Sequence, residues 1–464
     1  MYLIVICHHY GRSVVRQWIF RSFSYYCCHH NLKSYQLFST SAMWQKLKEF
    51  YNKTHTDFSK GYVDPYEFHK TFYQIMVNFK VADLSNENPP SYFNQNAIIF
   101  MTGFVAKLLC ISSFYHGLMT FNLRLATEAG TYIIVMAYAL LISSCTRRNV
   151  PQYHNFLRAM KEDFQFICTS GEKYRVPYFS NQLLTWKICI FACIFTASIA
   201  VGMVSFAFLS LFYFLATYKE EIGGSRPLLF PFWLPNVDFG ETPVYEIAFM
   251  FSNICALLYA YNYIFMIQTQ IVWIRQITSK VDIVIWSIQD LLVDINPARS
   301  EEESVYFSYL IKARMRDILL HHQSMYSLME DYAVVYKKML MFEQKCCGSV
   351  VCLTAYCIAE AFDAGEFQAI LLLLCIGTTV LHFVPCYFCT FLAVKVSSVC
   401  DACWNIPFWK AGPVIRPYMV LIMQRSLRHL PLQAAGFEDI SIETFSKKMT
   451  NAYSLFNMLR QANI

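Results

Sequence analysis

The chain has 464 residues, of which 56% are hydrophobic and only 15% are charged, and its mean hydropathy is +0.33. A soluble protein carries about 25% charged residues, so this composition excludes an ordinary soluble protein and indicates several membrane-spanning helices. The net charge of +6 is explained by basic cytoplasmic loops, and no nucleic-acid partner is predicted.

Residues 1–42 differ from the rest of the chain, because they contain basic residues but no acidic one. In this respect they resemble an organelle transit peptide. Cys27-Cys28-His29-His30 also resembles a metal-binding tract, although four contiguous residues wrap one tetrahedral ion poorly. We interpret residues 1–42 as disordered, or as an extension that precedes a natural start at Met43. Residues 43–96 are predicted to be a cytosolic helical segment, amphipathic around Tyr66–Val81.

Apolar segments follow that are long enough to cross a bilayer, whose hydrocarbon core takes about 20 residues of helix. Residues 97–272 hold spans 1–4, predicted at Ala97–Met119, Ala129–Cys145, Trp186–Leu215 and Tyr245–Val272. Residues 341–396 hold spans 5 and 6, predicted at Met341–Phe362 and Phe367–Val396. A seventh span is predicted at Ile442–Arg460, within residues 442–464. The predicted fold is an all-α membrane protein with seven transmembrane helices.

Two polar regions separate these spans. Residues 273–340 mix acidic and basic residues with apolar positions at helical spacing, which predicts extended cytosolic helices. Prolines interrupt residues 397–441, so a cytosolic anchor helix at about Arg416–Arg428 is predicted before the last span. Lys and Arg concentrate in the loops after spans 2, 4 and 6. The positive-inside rule therefore predicts a cytosolic N-terminus and an extracellular C-terminus, the inverse of a G-protein-coupled receptor.

The 18 cysteines do not indicate a metal site. Most of them lie in apolar runs, where cysteine behaves as a small hydrophobic residue. Cys400 and Cys403 form a single CxxC without a second pair, whereas a closed zinc site needs four suitably spaced ligands. No metal and no cofactor are predicted.

The last predicted span carries a polar stripe. Thr450, Tyr453, Asn457 and Arg460 recur at steps of three and four residues and share one helix face, with Phe456 at its edge. Lipid cannot satisfy such a face, so it meets either another helix or a water-filled path. Periodicity alone leaves both interpretations open.

Several segments resemble motifs of one family. Residues 452–461 resemble the terminal signature of insect odorant receptors, some form of T-Y-S-aromatic-F-x-L-L-R, with Ala452 in place of the usual Thr. Residues 402–409 are similar to the family's Y-N-C-P-W-Y segment, and residues 421–426 to its L-M-Q-R-S. Pro231–Pro235 and Pro243–Glu246 are similar to its P-F-W-x-P and P-x-Y-E. These motifs come in family order, and the resemblance covers roughly residues 43–464.

The resemblance implies an odorant-gated, non-selective cation channel in the plasma membrane of olfactory sensory neuron dendrites. In the family, odorant-tuned subunits join a shared co-receptor subunit in a heterotetramer, and the last helix lines the pore. The implied pore residues are Thr450, Tyr453, Phe456, Asn457 and Arg460, with Phe456 as an apolar constriction that gates by dewetting. The cytosolic helices before spans 5 and 7 form the inter-subunit anchor.

The resemblance also implies a pocket for small volatile odorants among the outer halves of spans 2, 3, 4 and 6. Counting inward from the outer ends of those spans selects Tyr132, Met136, Met203, Phe206, Phe249, Asn253 and Thr379. Aromatic and Met side chains suit a volatile molecule, although ordinary interhelical packing explains each of them singly. His382, alone within span 6, is interpreted as a satisfied packing histidine, and His321-His322 as a solvated surface pair.

The sequence also bears on two other classes of function. An enzyme is not predicted, because the chain has no phosphate-binding glycine loop and no nucleophile motif. The alternative to a channel is a secondary transporter or another multi-span membrane receptor. A transporter should show internal repeats and paired broken helices. The sequence shows no repeat, and only the seventh segment is interrupted.

Deletion of residues 1–42 is expected to leave surface delivery and odorant response unchanged. Nothing in that stretch resembles the family, and its composition cannot bury a core. Surface labelling and evoked current should be compared for the full chain and for a chain that starts at Met43. Failure of the shortened chain alone to reach the surface would contradict this expectation.

Overall fold

The computed structural model describes residues 40–58, 61–82, 95–217, 226–293, 301–407, 412–428, 430, 432–434 and 438–462. The transit-like composition and the Cys27–His30 tract lie outside these residues. The chain divides into two units, Met1–Asp57 and Phe58–Ile464. The first unit contains helix α1, Thr40–Tyr51, and a short 3₁₀ helix follows at His55–Phe58.

The second unit begins with two short helices, α2 at Pro65–Phe68 and α3 at Lys70–Asn78. Asp64 caps α2, because its side chain accepts a hydrogen bond from the Tyr66 amide, and proline is favourable in the first turn. Phe68, Phe72, Tyr73, Ile75 and Met76 are buried on one side of this pair. The amphipathic character predicted around Tyr66–Val81 is present in these two short helices.

Long helices make up most of the second unit. They are α4 (Gln95–Met119), α5 (Leu123–Arg148), α7 (Glu172–Thr217), α8 (Val244–Gln289), α9 (Glu301–Asp363) and α10 (Ala369–Trp404). Within the described residues, these six are long and apolar enough to cross a membrane. They contain the six predicted spans, except that α10 begins at Ala369 rather than at Phe367.

The seventh predicted span forms helix α12, Ile442–Ala462. Its 21 residues reach about 31 Å at 1.5 Å per residue, the thickness of a bilayer core. It is more polar than the other six and is not among the helices that are apolar enough to span alone. A two-stranded hairpin precedes it, in which β1 (Gln433–Ala434) pairs antiparallel with β2 (Glu438–Asp439).

Two shorter helices complete the unit: α6 (Val150–Thr169) and α11 (Gly412–Ser426). Helix α6 was not anticipated from the sequence, whereas α11 lies where the anchor helix was predicted. Tyr326 of α9 holds α11 in place, because its hydroxyl donates to the Arg425 carbonyl (3.0 Å) and its ring lies 4.5 Å from the Arg425 guanidinium.

The predicted segment 273–340 is not a separate linker. Helices α8 and α9 have 46 and 63 residues, far more than a bilayer needs, and they run without a break from the spans into this segment. Their extensions pack on α6: the fully buried Trp273 stacks on Phe156 at 4.5 Å. His322 is buried against Tyr326, so the interpretation of His321-His322 as a solvated pair is wrong for His322.

A chain of buried hydrogen bonds connects these helices. His69, at the end of α2, donates to Gln182 (2.9 Å), and Gln182 donates to Gln276 (2.9 Å). Gln276 donates to Asp163 (2.7 Å), which also forms a buried ion pair with Lys280 (2.5 Å). Because every member has a partner, the network meets the condition under which buried polar groups are tolerated.

The stability of this fold is expected to fall as pH falls below about 6.5. Burial lowers the pKa of His69 to about 4, so the unfolded chain binds a proton that the folded chain does not. Between pH 7.5 and pH 5, the loss from this group is about 2 kcal/mol. His69→Gln keeps a polar group beside Gln182 but cannot titrate, so its melting temperature in detergent should depend less on pH.

The matched control is His154→Gln, since His154 is an exposed histidine on the neighbouring helix α6. This substitution should leave the pH dependence of the melting temperature as it is in the wild type. Equal pH dependence in His69→Gln and the wild type would contradict the role assigned to the network.

Candidate functional site

A cavity of about 130 Å³ lies between five of the long helices. Helices α5, α7, α8, α9 and α10 contribute its walls, and the loop between α7 and α8 contributes Phe230. Most of the lining is aliphatic or aromatic, including Ile134, Val135, Ile199, Ala200, Met203, Ala256, Phe342, Val350, Leu374 and Leu381. Such a cavity offers dispersion contacts over most of its surface.

The α7–α8 loop closes one end of the cavity. Phe230 packs edge-on against Tyr132, with ring centroids 4.9 Å apart. The loop is held at Pro227, whose carbonyl accepts a hydrogen bond from the Tyr245 hydroxyl (2.8 Å). Farther along, Trp233 stacks on His116 of α4 at 4.2 Å. The loop thus covers the cavity at the end that the sequence places outside the cell.

The opposite end, here called the cavity floor, is formed by Tyr138, Glu343 and His382. Glu343 is only 7% exposed. The Tyr138 hydroxyl donates to Glu343 Oε2 (3.2 Å), and the Tyr138 ring stacks on Phe342 at 5.4 Å. A carboxylate is costly to bury without partners, and Tyr138 supplies one hydrogen bond to one of its two oxygens.

His382 is the least satisfied polar group of the floor. Its Nδ1 lies 3.6 Å from Glu343 Oε1, close enough for an ion pair but too far for a hydrogen bond. It is 1% exposed, and neither ring nitrogen has a hydrogen-bond partner among the described residues. The interpretation of His382 as a satisfied packing histidine is therefore wrong. Its ring also lies 5.6 Å from that of Phe445 on α12.

Two of the seven residues expected in an odorant pocket line this cavity, Tyr132 and Met203. Met136 and Phe249 are buried elsewhere in the bundle, and Phe206 is 38% exposed. Asn253 and Thr379 donate to backbone carbonyls of their own helices, at Phe249 and Cys375. Thr378, one residue earlier, faces the cavity instead of Thr379. Counting residues from a helix end gives the depth of a side chain in the bundle but not the direction in which it points, because each step of one residue along a helix rotates that direction by about 100°.

Counting along spans 2, 3, 4 and 6 also left out α9, which supplies Glu343 and four other lining residues. A usable signal was present in the sequence. Glu343 and His382 are ionisable residues inside predicted spans 5 and 6, and intramembrane ionisable residues are functional candidates by default.

The residues expected in a pore are distributed over more than one face of α12. Thr450 and Tyr453 are exposed and Asn457 is half-buried. Arg460 is paired with Asp363 at the end of α9, with 2.7 Å between Nη2 and Oδ2. Phe456 packs towards α9 beside Val351, Cys352 and Ala355. Thr450 is thus exposed, whereas Tyr453, although 66% exposed, borders α9 together with Phe456, and Arg460 is held at the end of α9.

Residues 122–453, well over half of the chain, match the family described as 7tm Odorant receptor. The chain belongs to this family. Among curated relatives, Odorant receptor 49a of Drosophila melanogaster is 20% identical over 305 residues, which cover 64% of this receptor and 67% of the relative. Odorant receptor 85f of the same species is 25% identical over 136 residues, and the match spans 29% of this receptor and only 34% of the relative.

Solved structures of an insect olfactory receptor share the fold. The receptor aligns with OR5 from Machilis hrabei at a TM-score of 0.67 and 15% identity, covering 85% of this chain and 99% of that one. The structure of OR5 in complex with eugenol aligns over the same shares, at a TM-score of 0.65 and 13% identity. The likeness supports the seven-helix architecture over nearly the whole length of OR5.

Among the described residues, no group of three His, Cys, Asp or Glu side chains is placed to hold a metal ion. The cysteines that the structure describes are free thiols.

Proposed function

We propose that the receptor is the odorant-binding subunit of a ligand-gated cation channel. One observation carries the proposal: a mostly apolar cavity with a polar floor lies next to the polar helix α12. His382 connects the two, because it lies 3.6 Å from Glu343 at the floor and packs on Phe445 of α12. A ligand that alters the floor can therefore act on α12 through a direct contact.

The cavity is proposed as the odorant site. An apolar cavity of about 150 Å³ in another protein is large enough to bind benzene, so about 130 Å³ suits a small volatile molecule. Tyr132 and Met203 give it an aromatic and a polarisable wall. The fold is shared with OR5, which has been solved in complex with eugenol, and this supports a small organic ligand.

Helix α12 is proposed to line the pore through Thr450, Tyr453 and Asn457. In a tetramer, four such faces around one axis would form a wet path that satisfies polar groups a lipid could not. The exposure of Thr450 and Tyr453 in the single chain supports this placement. The position of Phe456 against α9 does not favour the constriction suggested for it, and the Asp363 partner reduces the charge that Arg460 presents at the mouth.

The proposed assembly and cellular location rest on membership of the odorant receptor family. We propose a heterotetramer with a shared co-receptor, held together by α11 and the extended parts of α8 and α9. The cytosolic N-terminus and extracellular C-terminus rest on the distribution of Lys and Arg. The setting is the plasma membrane of olfactory neuron dendrites. Family membership gives no support to a transporter or an enzyme.

Pore and cavity substitutions are expected to affect different properties. Asn457→Asp adds a negative charge to the proposed wet path, so permeability to divalent relative to monovalent cations should rise several-fold, while the order of odorant potencies stays unchanged. Met203→Ala is the matched control: it removes cavity contacts, so it should change that order and leave ion selectivity alone. Reversal potentials measure the ion selectivity, and dose–response curves measure the order of odorant potencies. If Asn457→Asp changed the order of odorant potencies and Met203→Ala changed the ion selectivity, the proposed pore and the proposed odorant site would both be contradicted.

Little odorant-evoked current is expected from this chain alone, and co-expression with a co-receptor should restore it. The last residues resemble the tuning subunits, whose terminal signature includes L-L-R, rather than the co-receptor. Whole-cell current should be compared in cells that lack any partner subunit, with equal surface labelling of the chain. Robust current without a partner would contradict the proposed assembly.

A further inference from the structure

The cavity floor holds unused hydrogen-bonding capacity. Glu343 Oε2 accepts from Tyr138, but Oε1 faces His382 Nδ1 across 3.6 Å without a hydrogen bond. Both His382 nitrogens lack a partner among the described residues, although the ring is almost fully buried. An unpaired polar group in such a place is destabilising. The rest of the lining is mostly apolar, and none of its polar groups forms a hydrogen bond with either His382 nitrogen.

We propose that the cavity floor is a hydroxyl-binding site, and that the receptor is tuned to alcohols whose apolar part fills the cavity. The ligand O–H donates to Glu343 Oε1, and its oxygen accepts an N–H from His382. This inference deepens the proposed odorant site and rests on it.

The distances allow one oxygen to serve both residues. A hydrogen bond to a hydroxyl has a length of about 2.8 Å, and an oxygen can lie at that distance from two atoms that are 3.6 Å apart. Tyr138 already engages Oε2, so Glu343 is held with Oε1 available. The hydroxyl turns the long contact between Glu343 and His382 into a bridge of two hydrogen bonds.

Other small functional groups complete only part of this bridge. An ether, ketone or ester oxygen accepts from His382 but has no proton for Glu343. An ammonium group donates to Glu343 but cannot accept from His382, and a hydrocarbon does neither. A water molecule at the floor would make both hydrogen bonds, and only a ligand group that reproduces them can displace it without loss of affinity. A hydroxyl is the smallest group that does so.

The first test compares ligands of matched size on the complete receptor, co-expressed with its co-receptor. Because n-hexanol and pentyl methyl ether are isomers, they differ in the hydroxyl and hardly in volume. The alcohol should be more potent by about tenfold to a hundredfold, the factor for one hydrogen bond to a charged group. Equal potency of the two isomers, or greater potency of n-hexylamine, would overturn the hydroxyl assignment.

The second test asks whether the floor causes that preference. Glu343→Leu removes the acceptor and makes the floor apolar, so the ratio of ether to alcohol half-maximal concentrations should fall towards one. His382→Leu removes the donor and should lower the same ratio. Leu381→Val changes an apolar lining residue and should shift both ligands alike. An unchanged ratio in Glu343→Leu at normal surface density would overturn the proposal.

Loss of expression cannot produce the expected result, because Glu343→Leu should respond to the ether more strongly than the wild type does. Should Glu343→Leu fail to reach the surface, Glu343→Met, which removes the acceptor but keeps the length of the side chain, gives the test: a reduced ratio supports the floor and an unchanged one overturns it. The isomer comparison on the wild type stands independently of any variant. If all odorants evoke equal current, only the hydroxyl assignment is wrong. If the complete receptor gives no evoked current with any odorant, the proposed function itself is contradicted.

Discussion

Burial of one long stretch of α8 is the constraint on which the membrane-distal part of this receptor depends. Every residue from Phe265 to Val284 is buried, although a helix in contact with solvent would expose about half of its circumference. Helices must therefore surround this stretch on all sides, and α6, α7, α9 and α10 do so. Trp273 fills the space towards α6 and α9, where it stacks on Phe156 and lies edge-on to Tyr336.

The same stretch contains polar and charged residues, which explains why the surrounding contacts are specific. Lys280 pairs with Asp163 of α6, and Asp282 pairs with Lys395 of α10 (2.6 Å). Gln276 continues the network through Gln182 to His69. Removal of one partner from such a pair leaves an uncompensated buried charge. The network thus fixes how α2, α6, α7 and α8 meet, while apolar burial supplies most of the free energy of packing.

Two different parts of α10 connect the cavity to α12. His382 lies between Glu343 and Phe445, and Phe383 packs edge-on against the same Phe445 ring at 5.4 Å. About two turns after Phe383 along α10, the Thr390 hydroxyl accepts a hydrogen bond from the Ile442 amide at the start of α12 (3.0 Å). Helix α12 is thus attached at its base to the helix that carries the cavity floor. Beyond that base, the polar side chains of Thr450 and Tyr453 are exposed.

The sequence by itself determined the class of fold, the number and order of the spans and the family. Spans are visible because a bilayer requires about 20 apolar residues in a row, and the terminal motifs of residues 452–461 are local in the chain. It did not determine which side chains meet. Thr378 and Thr379 are equivalent in composition and depth, and only helix rotation decides that Thr378 faces the cavity. Glu343 and His382 are separated by 39 positions along the chain, and only the packing of α9 on α10 brings their side chains to 3.6 Å.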